Sequence, residues 1–401
     1  MKPIYNPLSP IAILALLAGC TQTDSAGAND AQSSKGGGDA SLQTTLAEPA
    51  PEGRTALNVE TLATGLSNPW SIAFLPDNLI LVTERSGSVR AIRDGEMQDE
   101  PIPGAPDVYV NNQGGMFDIM PHPEFSSNGV IFLAYAHGTK DANALRVARA
   151  NFDGQIITNL TPVYDATPLK DTGHHFGGRI VWGPDDKLYI SIGEGSRYKE
   201  KAQDNSSSFG AVVRLNPDGS IPDDNPDFGD GALPELFSKG HRNPQGLAYD
   251  AERDVLWENE HGPRGGDEIN IVQAGANYGW PIASYGIDYN GAKITPFTEY
   301  EGTTQPFKYW TPSIAPSGMA VYYGNMFPEW RGDLLVGAMS SSSGEALHRI
   351  IMNDMNEVGE ERYLLGNRIR DVRVGPDGAI YVTTEERRGA PEGTLLRITP
   401  Q

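Results

Sequence analysis

The apolar positions of this chain recur in short runs set off by turn residues, with no sustained helical period. Phe74-Leu75-Pro76-Asp77 leads into Ile80-Leu81-Val82-Thr83, Met120-Pro121-His122-Pro123 into Ile131-Phe132-Leu133-Ala134, and Gly183-Pro184-Asp185-Asp186 into Leu188-Tyr189-Ile190-Ser191. Further on, Tyr249-Asp250 leads into Val255-Leu256-Trp257, Phe327-Pro328 into Leu334-Leu335-Val336, and Gly375-Pro376-Asp377-Gly378 into Ile380-Tyr381-Val382-Thr383. β-Branched and aromatic runs bounded by Pro, Asp and Gly read as strands. Strand starts at 80, 131, 188, 255, 334 and 380 are 51, 57, 67, 79 and 46 residues apart, a drifting period close to that of a propeller blade with loop insertions. The expected fold is all-β, a six-bladed β-propeller. A pair of β-sandwiches with unrelated Pro-Asp turns is the alternative, since such turns are common in any β protein. The two widest intervals bracket residues 240–280, and long loops on a rigid scaffold are where sites are built.

Composition agrees with many short elements: 46 Gly and 30 Pro among 401 residues. A formal charge of -21 repels phosphate backbones and anionic headgroups, so nucleic acid and electrostatic membrane attachment are excluded as partners. The single cysteine, Cys20, ends the apolar run Ile11–Gly19 in Leu17-Ala18-Gly19-Cys20, which resembles a bacterial lipobox. The run is too short to cross a bilayer, which takes about 20 apolar residues, and reads as a signal peptide over 1–19. Lipidated Cys20 then begins a Ser/Gly/Ala/Thr-rich tether through residue 55, and the catalytic domain spans 56–401. The expected location is the periplasmic side, lipid-anchored, with Thr21 favouring the outer membrane.

Several segments carry chemistry. Gly173-His174-His175-Phe176-Gly177-Gly178-Arg179 places an imidazole, the side chain suited to proton transfer near neutral pH, in a glycine-rich approach to a strand. Arg242-Asn243 lies on a turn before Pro244-Gln245-Gly246, and Arg368 and Arg370 alternate around Ile369, so that both point to one side of a strand. Three guanidinium groups in an acidic chain suggest a polycarboxylate or phosphorylated ligand. Glu260-His261-Gly262-Pro263 turns sharply and exposes main-chain carbonyls, with Asp267 and Glu268 as carboxylates, a mixed oxygen set of the kind calcium takes. The spacing is not that of an EF-hand. Asn112-Gln113-Gly114-Gly115 is a further polar turn before an inner strand, and Tyr309-Trp310 offers aromatic faces for a sugar.

Together these segments resemble the soluble glucose/sorbosone dehydrogenase family that depends on pyrroloquinoline quinone, most closely its bacterial aldose sugar dehydrogenase branch. The resemblance runs from about Asn58 to Pro400. It rests on Gln113-Gly114-Gly115, His175 to Arg179, Gly240 to Gly246, Glu260 to Asn270, Asn277-Tyr278-Gly279-Trp280-Pro281, Pro316 to Met319 and Arg368 to Val372. It implies a six-bladed propeller, His175 as general base, Gln113, Arg242 and Asn243 at the quinone, and Arg368 with Arg370 on its carboxylates. It also implies Gly262 and Pro263 as carbonyl donors to the calcium that touches the quinone, and Glu268, Tyr278 and Tyr289 as ligands of further calcium. Two departures stand out. Ser340 occupies the place of a quinone-contacting lysine, and His174 replaces an Asp or Asn beside the base. The activity implied is oxidation of the C1 hydroxyl of aldoses to lactones with hydride transfer to the quinone, and a downstream electron acceptor that the sequence does not identify. A calcium-dependent propeller lactonase and a non-catalytic binding module are the competing readings.

Overall fold

The computed structural model describes residues 49–340, 345–385 and 392–401. The signal peptide, Cys20 and most of the tether lie outside the described residues. Among those described there are six four-stranded antiparallel sheets and little helix, so the protein is a six-bladed β-propeller. The first strands of the blades are Pro69–Leu75, Met116–Pro121, Gly177–Trp182, Pro244–Asp250, Pro316–Val321 and Arg368–Val374. The second strands are Leu79–Glu84, Val130–Gly138, Leu188–Ile192, Val255–Glu260, Leu334–Ala338 and Ile380–Glu385. Each of the six strands read from the sequence repeat is the second strand of its blade.

The repeat has a conformational cause. A tight hairpin between first and second strands needs residues in the left-handed region, and Asp77 (φ 59°), Asn78 (φ 55°), Asp186 (φ 58°) and Asp254 (φ 55°) supply it. The signal is faint in the second and fifth blades because short helical turns, Phe125–Asn128 and Pro328–Trp330, are inserted there. The ring closes when the amino-terminal strand Leu57–Ser67 pairs with the last strand, Glu392–Pro400, as the outer edge of the sixth blade, with Leu57 opposite Pro400 and Ser67 opposite Glu392.

Alternation along the strands sends apolar side chains to the blade interfaces. Leu81, Met116, Leu133 and Phe152 fill the space between the first and second blades, and Trp257, Met319, Leu334 and Ile350 that between the fourth and fifth. The interface of the third and fourth blades is the exception: its buried apolar cluster is only Tyr189, Val212, Leu247, Leu256 and Val272.

Charged side chains tie the first strands together on the inside of the ring. Arg179, 1% exposed, reaches Asp118 at 3.3 Å and Asp371 at 3.1 Å, and donates through Nε to Gln245 O. Arg373 joins the same two carboxylates at 3.0 Å each. Asp118 also accepts from Ser71 Oγ and from the Ile180 amide. Five blades are thereby connected through one buried network. Asp118→Ala would leave the Arg179 and Arg373 charges to share Asp371 alone, and a loss of about 3 kcal/mol in unfolding free energy, read by denaturant titration, is expected.

Five of the six first strands begin with an irregular register near their entry, for example between Gly177 and Ile180 and between Pro244 and Gly246, and the sixth breaks between Ile369 and Asp371. A bulge bends a strand and re-aims its side chains. The entries to the first strands and the exits from the second strands meet at one end of the ring, opposite the Pro-Asp hairpins.

Candidate active site

His175 sits at the entry to the third blade with φ 48°, an uncommon conformation for a side chain of this size. It is held there from several sides. Gln113 Oε1 accepts the His175 amide at 2.8 Å, and the Gly195 amide donates to His175 O. A Cβ on Gly193 would lie 2.5 Å from His175 O, so only glycine lets the two segments approach. Lys170, 3% exposed, donates to the carbonyls of Thr172 and His174 from beneath, its ammonium 3.3 Å from the centre of the Phe176 ring.

The imidazole itself is 7% exposed and its Nδ1 is 2.9 Å from Glu194 Oε1. A carboxylate at that distance accepts a hydrogen bond from Nδ1–H, the tautomer that leaves the lone pair on Nε2. Burial holds the His175 pKa well below its ordinary value, with Arg242, Lys170 and His174 acting in the same direction. Burial pushes Glu194 up to about 7, against the pull of Arg242, the Ser196 amide and Lys170. The two shifts look opposed for an ion pair, and they share one cause: a dry site penalises both charges, and the neighbouring cations favour the state with neutral His175 and ionised Glu194. This is the protonation state of a general base.

Around this pair the structure brings together most of the residues singled out in the sequence. Arg242, 7% exposed, donates through Nη1 to His261 O at 2.9 Å and Gly262 O at 2.7 Å, and its guanidinium lies 5.2 Å from the Trp280 ring. Its Nε is buried with no hydrogen-bond partner. The amides of Arg242 and Asn243 both donate to Glu260 Oε2, and Asn243 Oδ1 accepts from the Gly177 amide at 3.3 Å, which links the entries of the third and fourth blades. Arg370 pairs with Glu385 at 2.7 Å and reaches Gln245 Oε1 at 3.4 Å, while Arg368 stands 3.6 Å from the other Glu385 oxygen and 3.7 Å from Met339 Sδ. Burial raises the Glu385 pKa, and Arg370, Arg368 and Arg85 more than offset it. One carboxylate is thus paired with two guanidinium groups and lies in the field of a third.

The Gly262–Gly266 turn is built around Asp267. Its carboxylate accepts from the Gly262 amide at 2.8 Å, Ser313 Oγ at 2.6 Å and the Ala315 amide at 2.8 Å, and burial lifts it to about 6 against these bonds. Asp267 therefore shapes the turn instead of offering oxygen to a metal. A Cβ on Gly262 would lie 2.2 Å from Gly266 O, so the carbonyls of Gly262 and Pro263 can be presented only with glycine at 262.

Glu268 lies across the strand pair from Glu260, and its carboxylate accepts from Asn270 Nδ2 at 3.3 Å. Tyr278 is 5% exposed, donates to Ile271 O and stacks on His241 with ring centres 4.5 Å apart. Tyr289 stands apart on the exposed 288–292 turn, its side chain 71% exposed. Ser340 donates its amide to Ile314 O at 3.0 Å, just past the second strand of the fifth blade, and His174 meets Lys170 through its carbonyl. Of the aromatic pair, Trp310 is a packing residue, 8% exposed with Nε1 donating to Glu360, whereas Tyr309 is 48% exposed and stacks on Tyr285.

The sequence reading missed the carboxylates that organise the site: Glu194, Glu260 and Glu385, with Glu84 in an equivalent place in the first blade. A signal was present. Glu84, Glu260 and Glu385 are the last residues of their second strands, and Glu194 follows its own by two. It missed His261 too, whose Nε2 donates to Pro316 O at 2.8 Å and whose pKa falls to about 3 through burial and the nearby Arg242, Arg370 and His175.

Solved sugar dehydrogenases share this propeller fold. Residues 66–397 match the Glucose / Sorbosone dehydrogenase family, and the chain belongs to it. It is 42% identical over 358 residues to the aldose sugar dehydrogenase YliI of Escherichia coli, covering 86% of this chain and 93% of that protein. It is 28% identical over 411 residues to quinoprotein glucose dehydrogenase B of Acinetobacter calcoaceticus, covering 81% and 85%. Among solved structures, the PQQ-bound aldose sugar dehydrogenase of Streptomyces coelicolor superposes with a TM-score of 0.69 at 27% identity, covering 87% of this chain and all of that one.

Proposed function

We propose that this protein is a quinoprotein oxidoreductase that oxidises the C1 hydroxyl of aldose sugars to lactones. The observation that carries the reading is the buried His175 ring, with Nδ1 2.9 Å from Glu194 Oε1, set beside the arginines of two other blades. The names of the relatives, an aldose sugar dehydrogenase and a quinoprotein glucose dehydrogenase, support it.

The residues fit pyrroloquinoline quinone. Arg368 and Arg370 gather at Glu385 with Arg85 adding to the positive field, and the buried Arg242 Nε lacks a hydrogen-bond partner, a place that anionic oxygens would fill. Arg242, Asn243, Gln113, Arg368 and Arg370 would hold the quinone, and the carbonyls of Gly262 and Pro263 would hold calcium. When bound, these supply a two-electron acceptor for the hydride leaving C1 and a cation that polarises it. The chain's own part is acid-base and positional. His175 Nε2 takes the C1 hydroxyl proton, Glu194 stabilises the imidazolium that forms, and Lys170 and Gln113 fix the loop that carries the base.

The test is dye reduction by the purified protein with added calcium and quinone against a panel of aldoses. Sugar-dependent reduction is expected, and its absence across the panel overturns the reading. We also propose that Cys20 carries the lipid that holds the chain on the periplasmic side. Palmitate labelling lost in Cys20→Ser checks this.

The Glu194 pKa gives a pH prediction with a definite sign. As pH falls through about 7, Glu194 takes up a proton and the imidazolium formed in turnover loses its anionic partner. His175 stays neutral across this range, because its own pKa is depressed. The ratio kcat/KM should therefore drop on an acid limb near pH 7, and Glu194→Gln should abolish that limb. For stability the sign is the reverse: a carboxyl whose folded pKa is raised contributes less as pH rises from its unfolded value toward 7.

A further inference from the structure

The interface between the third and fourth blades is where the apolar core is smallest, and alternation explains what replaces it. On the strand Val255–Glu260 the residues facing the third blade are Leu256, Glu258 and Glu260; on the neighbouring strand Asp267–Val272 they are Val272, Asn270 and Glu268. Leu256 pairs with Val272 in the apolar cluster, and above them come Glu258 opposite Asn270 and Glu260 opposite Glu268. His241, arriving from the entry of the fourth blade, inserts its imidazole into this layer. His241 and Glu258 are 0% exposed and Glu260 is 3% exposed.

Only some of their polar atoms are satisfied within the layer: Asn270 Nδ2 donates to Glu258 Oε2 at 3.0 Å and to Glu260 Oε1 at 3.4 Å. His241 Nδ1, Glu258 Oε1 and Asn270 Oδ1 are buried without a hydrogen-bond partner. His241 Nδ1 lies 3.5 Å from Glu260 Oε1 and 3.7 Å from Glu258 Oε2, long for hydrogen bonds, and the ligand atoms of the three residues all lie within 4.8 Å of one another. In a tetrahedral site with bonds of about 2.1 Å, neighbouring ligand atoms are about 3.4 Å apart, close to the 3.5 and 3.7 Å that separate His241 Nδ1 from the two carboxylates. Glu260 Oε2 is engaged by the amides of Arg242 and Asn243, and Oε1, held only by the long contact from Asn270 Nδ2 at 3.4 Å, is the oxygen turned toward His241.

We propose that this interface holds a divalent cation of the zinc or manganese kind, ligated by His241 Nδ1 and the carboxylates of Glu258 and Glu260. The imidazole nitrogen decides the class, because calcium takes oxygen ligands and His suits first-row transition metals. None of the three belongs to the calcium set implied by the family resemblance. The ion fills the polar layer and, through Glu260, braces the turn that carries Arg242 and Asn243. The inference is independent of the sugar reaction, and its test does not use activity.

The full chain is stripped with chelator, exposed to zinc, manganese or calcium alone, dialysed, and its metal counted by mass spectrometry. Wild type should keep one equivalent of zinc or manganese that Glu258→Gln and His241→Gln lose, and the metal should raise the thermal midpoint of wild type only. Mn2+ bound to wild type should show nitrogen coupling in its electron spin echo spectrum, which holds even where the variants fail to fold. Retention of neither metal, equal retention by wild type and variants, retention of calcium alone, or manganese without nitrogen coupling overturns the proposal.

Discussion

Replacing His175 by alanine is expected to lower sugar-dependent dye reduction about 10²- to 10⁴-fold, the range for removing a positioned general base, while leaving quinone affinity within about twofold. The separation of the two effects follows from the contacts. The backbone of residue 175, not its ring, meets Gln113 and Gly195, so the loop keeps its anchors when the ring is removed. The ring supplies only the proton acceptor and the bond to Glu194. Because residue 175 has φ 48°, alanine also brings backbone strain of about 1 kcal/mol, and His175→Asn, which tolerates that conformation better, distinguishes the two losses. Equal inactivity of both variants with intact quinone binding assigns the loss to the missing base. Retained turnover in either would remove His175 from that role.

Much of this architecture was legible because one local requirement repeats. Each tight hairpin between first and second strands needs a left-handed residue, so Asp77, Asp186 and Asp254 mark the blades in sequence, and the marks fade where a helical insert such as Phe125–Asn128 takes over the turn. Glycine-rich segments were legible for a similar reason, since Gly193 and Gly262 are places where a side chain does not fit. The carboxylates were not. A glutamate that ends a strand, like Glu385, has the sequence appearance of a surface residue, and its value appears only when the hairpin of the sixth blade sets it across from Arg368 and beside Arg370. Asp267 failed in the opposite sense: its placement beside Glu268 suggested a metal donor, yet three hydrogen-bond donors already occupy it. Tyr309 and Trp310 look alike in sequence and part company in space, because alternation on the outer strand turns Trp310 into the core between the fourth and fifth blades and leaves Tyr309 outside.

The double substitution Arg368→Ala/Arg370→Ala is expected to weaken quinone binding by about 10²-fold or more, with kcat at saturating quinone largely kept. A hydrogen bond to a charged group is worth about 1.5 to 3 kcal/mol, so loss of two such contacts at the lower figure is about 3 kcal/mol, or roughly two decades in the dissociation constant. Part of the effect passes through Glu385. With both guanidinium groups gone, burial is opposed mainly by Arg85, and the Glu385 pKa rises, so the pocket loses two positive charges while shedding some of its own negative charge. That compensation makes the fold tolerant, and the thermal midpoint should move far less than the affinity does. Lysine at both positions restores charge without the planar fork that meets a carboxylate with two parallel bonds, and it should recover only part of the loss. Fluorescence titration of the apoprotein with quinone measures all three forms. Unchanged affinity in the double alanine variant would show that the carboxylates of the cofactor are held elsewhere, and Arg242, whose Nη1 is already committed to Gly262 O and His261 O while Nε has no partner, would then carry that task alone.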